Sequence, residues 1–122
     1  ILISLFEAGV NAASGETSVV RALSRETGFR PDQIIAVGKA ACEMSLGALA
    51  VYGDRIPTLI VTKYAHSPPE LRDSSDLKII EAGHPIPDSH SLQAGQTMKQ
   101  GSAAYPGTSI LCRYRPMTGT IP

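Results

Sequence analysis

The chain has 122 residues, 43% of them hydrophobic and 18% charged, a composition that builds one globular domain and argues against a disordered chain. Lys plus Arg number 11 and Asp plus Glu number 11, Trp is absent and aromatics reach only 5%. With no basic excess for a phosphate backbone and few rings to stack on bases, a nucleic-acid partner is not expected. No apolar run approaches the roughly 20 residues of a membrane-spanning helix, so no membrane partner is expected either.

Residues 2–13 read as an amphipathic helix from the spacing of Leu2, Leu5, Phe6, Gly9, Val10 and Ala13, with Gly15 ending it. Glu7 interrupts the apolar opening and no basic stretch precedes it, which disfavours a secretory signal. Thr17 or Ser18 is the expected cap of a second helix, whose stripe is Val19, Val20 and Leu23. Gly28, Pro31 and Asp32 mark a turn. The run Ile34-Ile35-Ala36-Val37 is short, apolar and rich in β-branched residues, and predicts a buried strand. Residues 39–52 predict a helix whose stripe, Ala41, Met44, Ala48 and Val51, is mostly small enough to sit close on a sheet. Thr58 to Thr62 form a second strand, and a polar, proline-containing stretch runs from Lys63 to Asp76. Leu77 to Ala82 form a third strand, whose weaker pattern places it nearer a sheet edge. Gly83 to Asp88 make a rigid turn before a helix over 89–99, with Leu92, Gln96 and Lys99 on one face.

The order predicts an α/β fold: a Rossmann-like, open, mostly parallel sheet with helices on its faces. Residues 1–100 carry this pattern, whereas residues 101–122 carry Pro106, Pro116 and Pro122 among glycines, with no Asp or Glu. Within that atypical tail Ile110-Leu111-Cys112 is a candidate short strand. The two cysteines, Cys42 and Cys112, have neither metal-ligand nor CxxC spacing. Their expected state is reduced and buried, in the cytoplasm.

In such sheets ligands bind beyond the carboxyl ends of the strands. Three groups fall there: Gly38-Lys39, then Lys63-Tyr64-Ala65-His66, then Gly83 to Asp88. Lys39 follows a strand and a glycine at the start of a helix, where free backbone N–H groups and a cation would both face a small anion. The alternative is a lysine pointing into water. His84 sits in a loop stiffened by Pro85 and Pro87, suited to positioning a ligand or simply to packing. Asp88 is first of all a helix cap. Lys63, Tyr64 and His66 either touch an anionic substrate or open a mobile loop. Residues 31–40 lack the Walker A pattern, no GxGxxG fingerprint is present, and His66, His84 and His90 lack metal-ligand spacing. No Ser-His-Asp or Cys-His arrangement is readable.

Three strings, Ile34–Ala41, Val61–Tyr64 and Glu81–Asp88, together with Leu5–Val10, resemble the class II glycerate 2-kinases (the MOFRL family) over roughly residues 2–100. The resemblance implies the amino-terminal part of a two-domain enzyme that transfers the γ-phosphoryl group of ATP, with Mg²⁺, to D-glycerate. It implies that Lys39 is catalytic and holds charge on the transferring group, and that Gly38, Lys39, His84 and Asp88 bind substrate. No metal ligand is implied. Some family members carry a hydroxypyruvate reductase label, for which this chain has no dinucleotide fingerprint. The family continues past residue 100 into a Gly/Ser-rich phosphate loop and a further domain, which residues 101–122 do not match. With Ile1 in place of an initiating Met, that departure leads us to expect a fragment, or a frameshifted or misjoined product, inactive alone. The alternative is a non-catalytic module that binds a small anion or a protein.

Overall fold

The computed structural model describes residues 1–26, 28–71 and 75–104 and the backbone strand at 109–113. Pro106, Gly107, Pro116, Gly119 and Pro122 of the tail, and the side chain of Cys112, lie outside the described residues. The elements follow as α1 (Leu2–Ala12), α2 (Gly15–Leu23), β1 (Gln33–Val37), α3 (Ala41–Tyr52), β2 (Thr58–Lys63), a single 3₁₀ turn (Pro69–Leu71), β3 (Leu77–Ala82), α4 (Ser89–Ala104) and β4 (Ser109–Arg113).

All four strands are parallel, in the order β3-β2-β1-β4. The expected α/β class is what forms, with β3 at an edge. The strand expected at 110–112 pairs with β1, Ile34 opposite Ile110 and Ala36 opposite Cys112. α4 continues through residue 100 to Ala104.

Burial explains why β1 and β2 read as continuous apolar runs. Helices cover both faces, so neither face needs polar residues. On one face Ala36 and Ile60 pack with Ala41, Cys42 and Leu71, and beside them Val19, Ile34, Ala48 and Ile56 form a second cluster. On the other face Ile35, Leu59 and Ile80 pack against Ala94 of α4.

α3 lies close to the sheet because its buried residues are small: Ala41, Cys42, Ser45, Gly47 and Ala48. Gly47 also lets α2 approach, since a Cβ there would stand 2.6 Å from the backbone oxygen of Glu16. Backbone cannot yield as a side chain does. Gly47→Ala is therefore expected to destabilise the fold by about 1–3 kcal/mol, read as a lower urea midpoint. An unchanged midpoint would show that α2 moves freely.

Two expectations are corrected at the amino terminus. α2 is capped by Ser14, whose hydroxyl accepts from the Thr17 backbone N–H, not by Thr17 or Ser18, and Gly15 opens α2 instead of closing α1. α1 forms, but none of its residues is buried. Leu2, Ile3, Leu5, Phe6 and Val10 are exposed, and only Ser4, Glu7 and Asn11 draw a polar stripe along it. No helix among the described residues is long and apolar enough to cross a membrane.

Candidate functional site

Parallel pairing brings the carboxyl ends of β1, β2 and β3 to one edge of the sheet. There they line an open cavity of about 310 Å³. Its floor is apolar, made by Val37, Val61, Ala82, Ala94 and Met98. Its polar lining comes from Gly38, Lys39, Lys63, His84 and Ser91, and β2 also borders it at Thr62. The sequence-derived candidates Gly38, Lys39 and His84 thus meet around one space, joined by Lys63.

Local chemistry explains the positions. Gly38 has φ of 121°, a conformation that side chains rarely adopt, and its N–H donates to Val61 O at 2.9 Å, which ties the β1–α3 turn to β2. Lys39 lies in that turn, one residue before the Ala40 cap of α3, not within the helix's first turn as the spacing suggested. It stays exposed and reaches two spaces, the cavity and a cleft of about 520 Å³ lined by Cys42, Glu43 and residues 65–69. His66 faces that second cleft, so it separates from Lys63. Cys42 is free and buried, and burial, aided by Glu81 and Glu43, pushes its thiol pKa up, as expected of an unreactive cysteine.

Gly83 cannot carry a side chain, because a Cβ would lie 2.5 Å from Ile86 O and 3.1 Å from Asp88 Oδ2. The tight loop it permits delivers His84 to the cavity and Asp88 to the start of α4. Asp88 does not line the cavity. It caps α4 as expected: Ser91 N–H donates to Asp88 Oδ1 at 3.1 Å, and Asp88 N–H donates to Ser91 Oγ at 3.1 Å.

The sequence did not reveal who holds the other carboxylate oxygen. Tyr64, at the end of β2, donates its hydroxyl to Asp88 Oδ2 at 2.6 Å and also contacts His90 Nδ1. The Tyr64 and His90 rings meet edge to face with centroids 5.9 Å apart. The only available signal was that both Tyr64 and Asp88 belong to strand-end segments, which places them on one edge but does not pair them. Tyr64's bond holds the Asp88 carboxyl well below the usual carboxylate range; partial desolvation opposes it, and Gly83 and Ser91 N–H groups and the Ser91 hydroxyl add to it. The same bond raises the Tyr64 pKa.

A lowered carboxylate pKa stabilises the fold at pH above the unfolded value of about 4. That contribution falls as pH drops toward the folded value. Asp88→Asn is therefore expected to lower stability at pH 7 and to narrow its difference from the parent at pH 3. A constant difference across that range, in thermal melts, would show that the charge of Asp88 plays no part.

Residues 1–112 match the family described as a domain of unknown function, DUF4147. The chain belongs to that family. Its relatives bear out the resemblance to glycerate 2-kinases. The DUF4147 chain is 43% identical over 61 residues, 49% of its length, to the D-glycerate 2-kinase of Thermotoga maritima. It is 31% identical over 97 residues, 79% of its length, to an Agrobacterium vitis protein provisionally named a hydroxypyruvate reductase. The crystal structure of a glycerate kinase from Thermotoga maritima superposes on 81% of the chain with a TM-score of 0.70 and 30% identity. The matches span only 14% and 21% of the two relatives and 23% of the crystallised kinase.

The cavity does not fit a complete ATP–Mg²⁺ site. Its walls contain no Gly-rich phosphate loop, and no cluster of three His, Cys, Asp or Glu among the described residues is placed to hold a metal ion. Its size and two lysines match a small anion.

Proposed function

We propose that this chain supplies the acceptor side of a glycerate 2-kinase, in which D-glycerate is phosphorylated at the expense of ATP to 2-phosphoglycerate. The observation that carries this is the strand-end cavity, apolar below and rimmed by Lys39, Lys63 and His84. Lys39 and Lys63 face the carboxylate of a small hydroxy acid, and His84 positions it on the loop that Gly83 shapes. Lys39 is the catalytic residue: fixed at the turn before α3, its cation stabilises negative charge that grows as the acceptor oxygen meets the phosphoryl group. Gly38 lets the backbone approach. Asp88 contributes indirectly, by fixing α4 and hence Ser91 at the rim. Residues 1–100 hold this acceptor site, and the sequence of residues 101–122 carries no Gly/Ser-rich run of the phosphate-loop kind. The phosphoryl donor and Mg²⁺ bind elsewhere in a longer polypeptide, so this chain alone is inactive. Its compartment is the cytoplasm.

Calorimetric titration of the 122-residue chain with D-glycerate, beside a coupled ATP-turnover assay, tests this. Saturable binding without turnover is expected. No binding of D-glycerate overturns the acceptor role, and steady ATP-dependent turnover overturns the inactivity.

A further inference from the structure

The loop from Gly83 to Asp88 brings His84 to the strand-end cavity, yet residues 84–88 are all exposed, so core packing does not hold it. Pro85 and Pro87 stiffen it from within, but stiffness does not decide where a loop stands. That takes an anchor. The ladder between β2 and β3 ends with Lys63 opposite Ala82, one residue before Tyr64 on one side and Gly83 on the other. Past that point the Tyr64 side chain carries the connection: its hydroxyl donates to Asp88 Oδ2 at 2.6 Å, between residues 24 apart in the chain.

The Asp88 carboxyl is where three walls of the cavity are tied together. It accepts from the Gly83 N–H at the start of the loop and from the Ser91 N–H in α4. Its third donor, Tyr64, directly follows Lys63 at the end of β2. Gly83, Ser91 and Lys63 all line the cavity. A short bond from a hydroxyl to a carboxylate is among the stronger hydrogen bonds. The tyrosine is itself held from its other side. Its one proton goes to Asp88, so His90 Nδ1 donates to the Tyr64 oxygen, and the two rings meet edge to face. Tyr64 is 46% exposed and belongs to none of the core clusters. Its hydroxyl therefore orients a surface loop more than it supports the core.

We infer that Tyr64 is a positioning residue for the cavity: through Asp88, its hydroxyl sets the loop that presents His84 and ties that loop to the Lys63 end of β2. That the ligand His84 meets is a small hydroxy acid rests on the function proposed above; the setting of the loop needs only a small anion in the cavity. A loop without its anchor has to be ordered when the ligand arrives, and that ordering weakens binding.

Tyr64→Phe keeps the ring beside His90 and removes only the hydroxyl. The chain has three histidines, so their ring C–H signals can be told apart by NMR in the free protein. Parent and variant are also titrated with D-glycerate and, separately, inorganic phosphate, at a temperature where both are folded. In Tyr64→Phe the His84 signal is expected to move toward that of an unstructured histidine while the His66 signal stays in place. D-Glycerate is expected to bind about three- to tenfold more weakly. In Asp88→Ala, where the hydroxyl has no carboxylate to hold, adding Tyr64→Phe is expected to change affinity by no more than about twofold. A His84 signal that Tyr64→Phe leaves unchanged overturns the inference alone, and so does equal affinity of variant and parent. If Tyr64→Phe weakens binding as much beside Asp88→Ala as by itself, the hydroxyl does not act through Asp88 and the inference also falls. If the parent binds phosphate but not D-glycerate, and Tyr64→Phe both weakens that binding and moves the His84 signal, the inference stands and the glycerate reading falls. If the parent binds neither anion, both fall.

Discussion

Lys39→Ala, introduced at the corresponding lysine of a full-length kinase of this family, is expected to lower kcat by about 10²–10³-fold and to leave thermal stability nearly unchanged. Both halves follow from where Lys39 sits. It is exposed in the turn between β1 and α3, so its loss removes no core packing. It also stands at the positive end of a helix, where a cation gains nothing from the fold and a small anion would relieve the conflict. A charge held there by a turn clamped to β2 through Gly38 needs little reorganisation when negative charge develops nearby. Lys39→Arg separates charge from geometry: it keeps the cation but replaces a compact ammonium with a broad planar fork. Partial rescue by Arg is expected. Steady-state kinetics showing equal kcat in Lys39→Ala and the parent would remove Lys39 from catalysis and leave the cavity as a binding site only.

What could be read from the sequence was whatever has a local cause. The strands at Ile34–Val37 and Thr58–Thr62 were visible because burial on two faces writes an unbroken apolar run. Asp88 was visible as a cap because a capping carboxylate acts three residues away. The convergence of Gly38, Lys39 and His84 followed from parallel topology, which brings every strand's carboxyl end to the same edge. Contacts without a local cause stayed hidden. Tyr64 and Asp88 are 24 residues apart and meet only through the fold. Ser14 and Thr17 are both good caps, and their hydroxyls bond each other at 2.9 Å, so composition alone did not decide between them. The apolar spacing of α1 showed that a face exists to be buried, but periodicity does not say against what.

Ile60→Ala is expected to destabilise the chain by about 2–5 kcal/mol. Ile60 is fully buried in β2, an interior strand flanked by β1 and β3. It packs with Ala36, Ala41, Cys42 and Leu71. Three of those four buried neighbours are small and two belong to α3; the larger Met44, Leu46, Leu77 and Ile79 also pack against this cluster and set how far the vacated space can close. A domain's whole stability is about 5–15 kcal/mol, so Ile60→Ala is expected to leave a substantial unfolded fraction at physiological temperature. Ile60→Val calibrates the result, because deleting one methylene should remove only about 0.5–1.5 kcal/mol. The effect should also reach the site. Ile60 lies two residues before Thr62 on the same face, beneath the start of α3 and the turn that carries Lys39, so a cavity there loosens the support of both. In Ile60→Val, where the fold persists, ligand affinity is expected to fall less than in a variant of equal stability on the α4 face, such as Ile80→Val, which packs in one cluster with Ala94, Val37, Val61 and Met98 of the cavity floor. Chemical denaturation gives the stabilities and titration the affinities. If the two variants lose affinity equally, the packing beneath α4 does not position the site, and the cavity takes its shape from the strand ends alone.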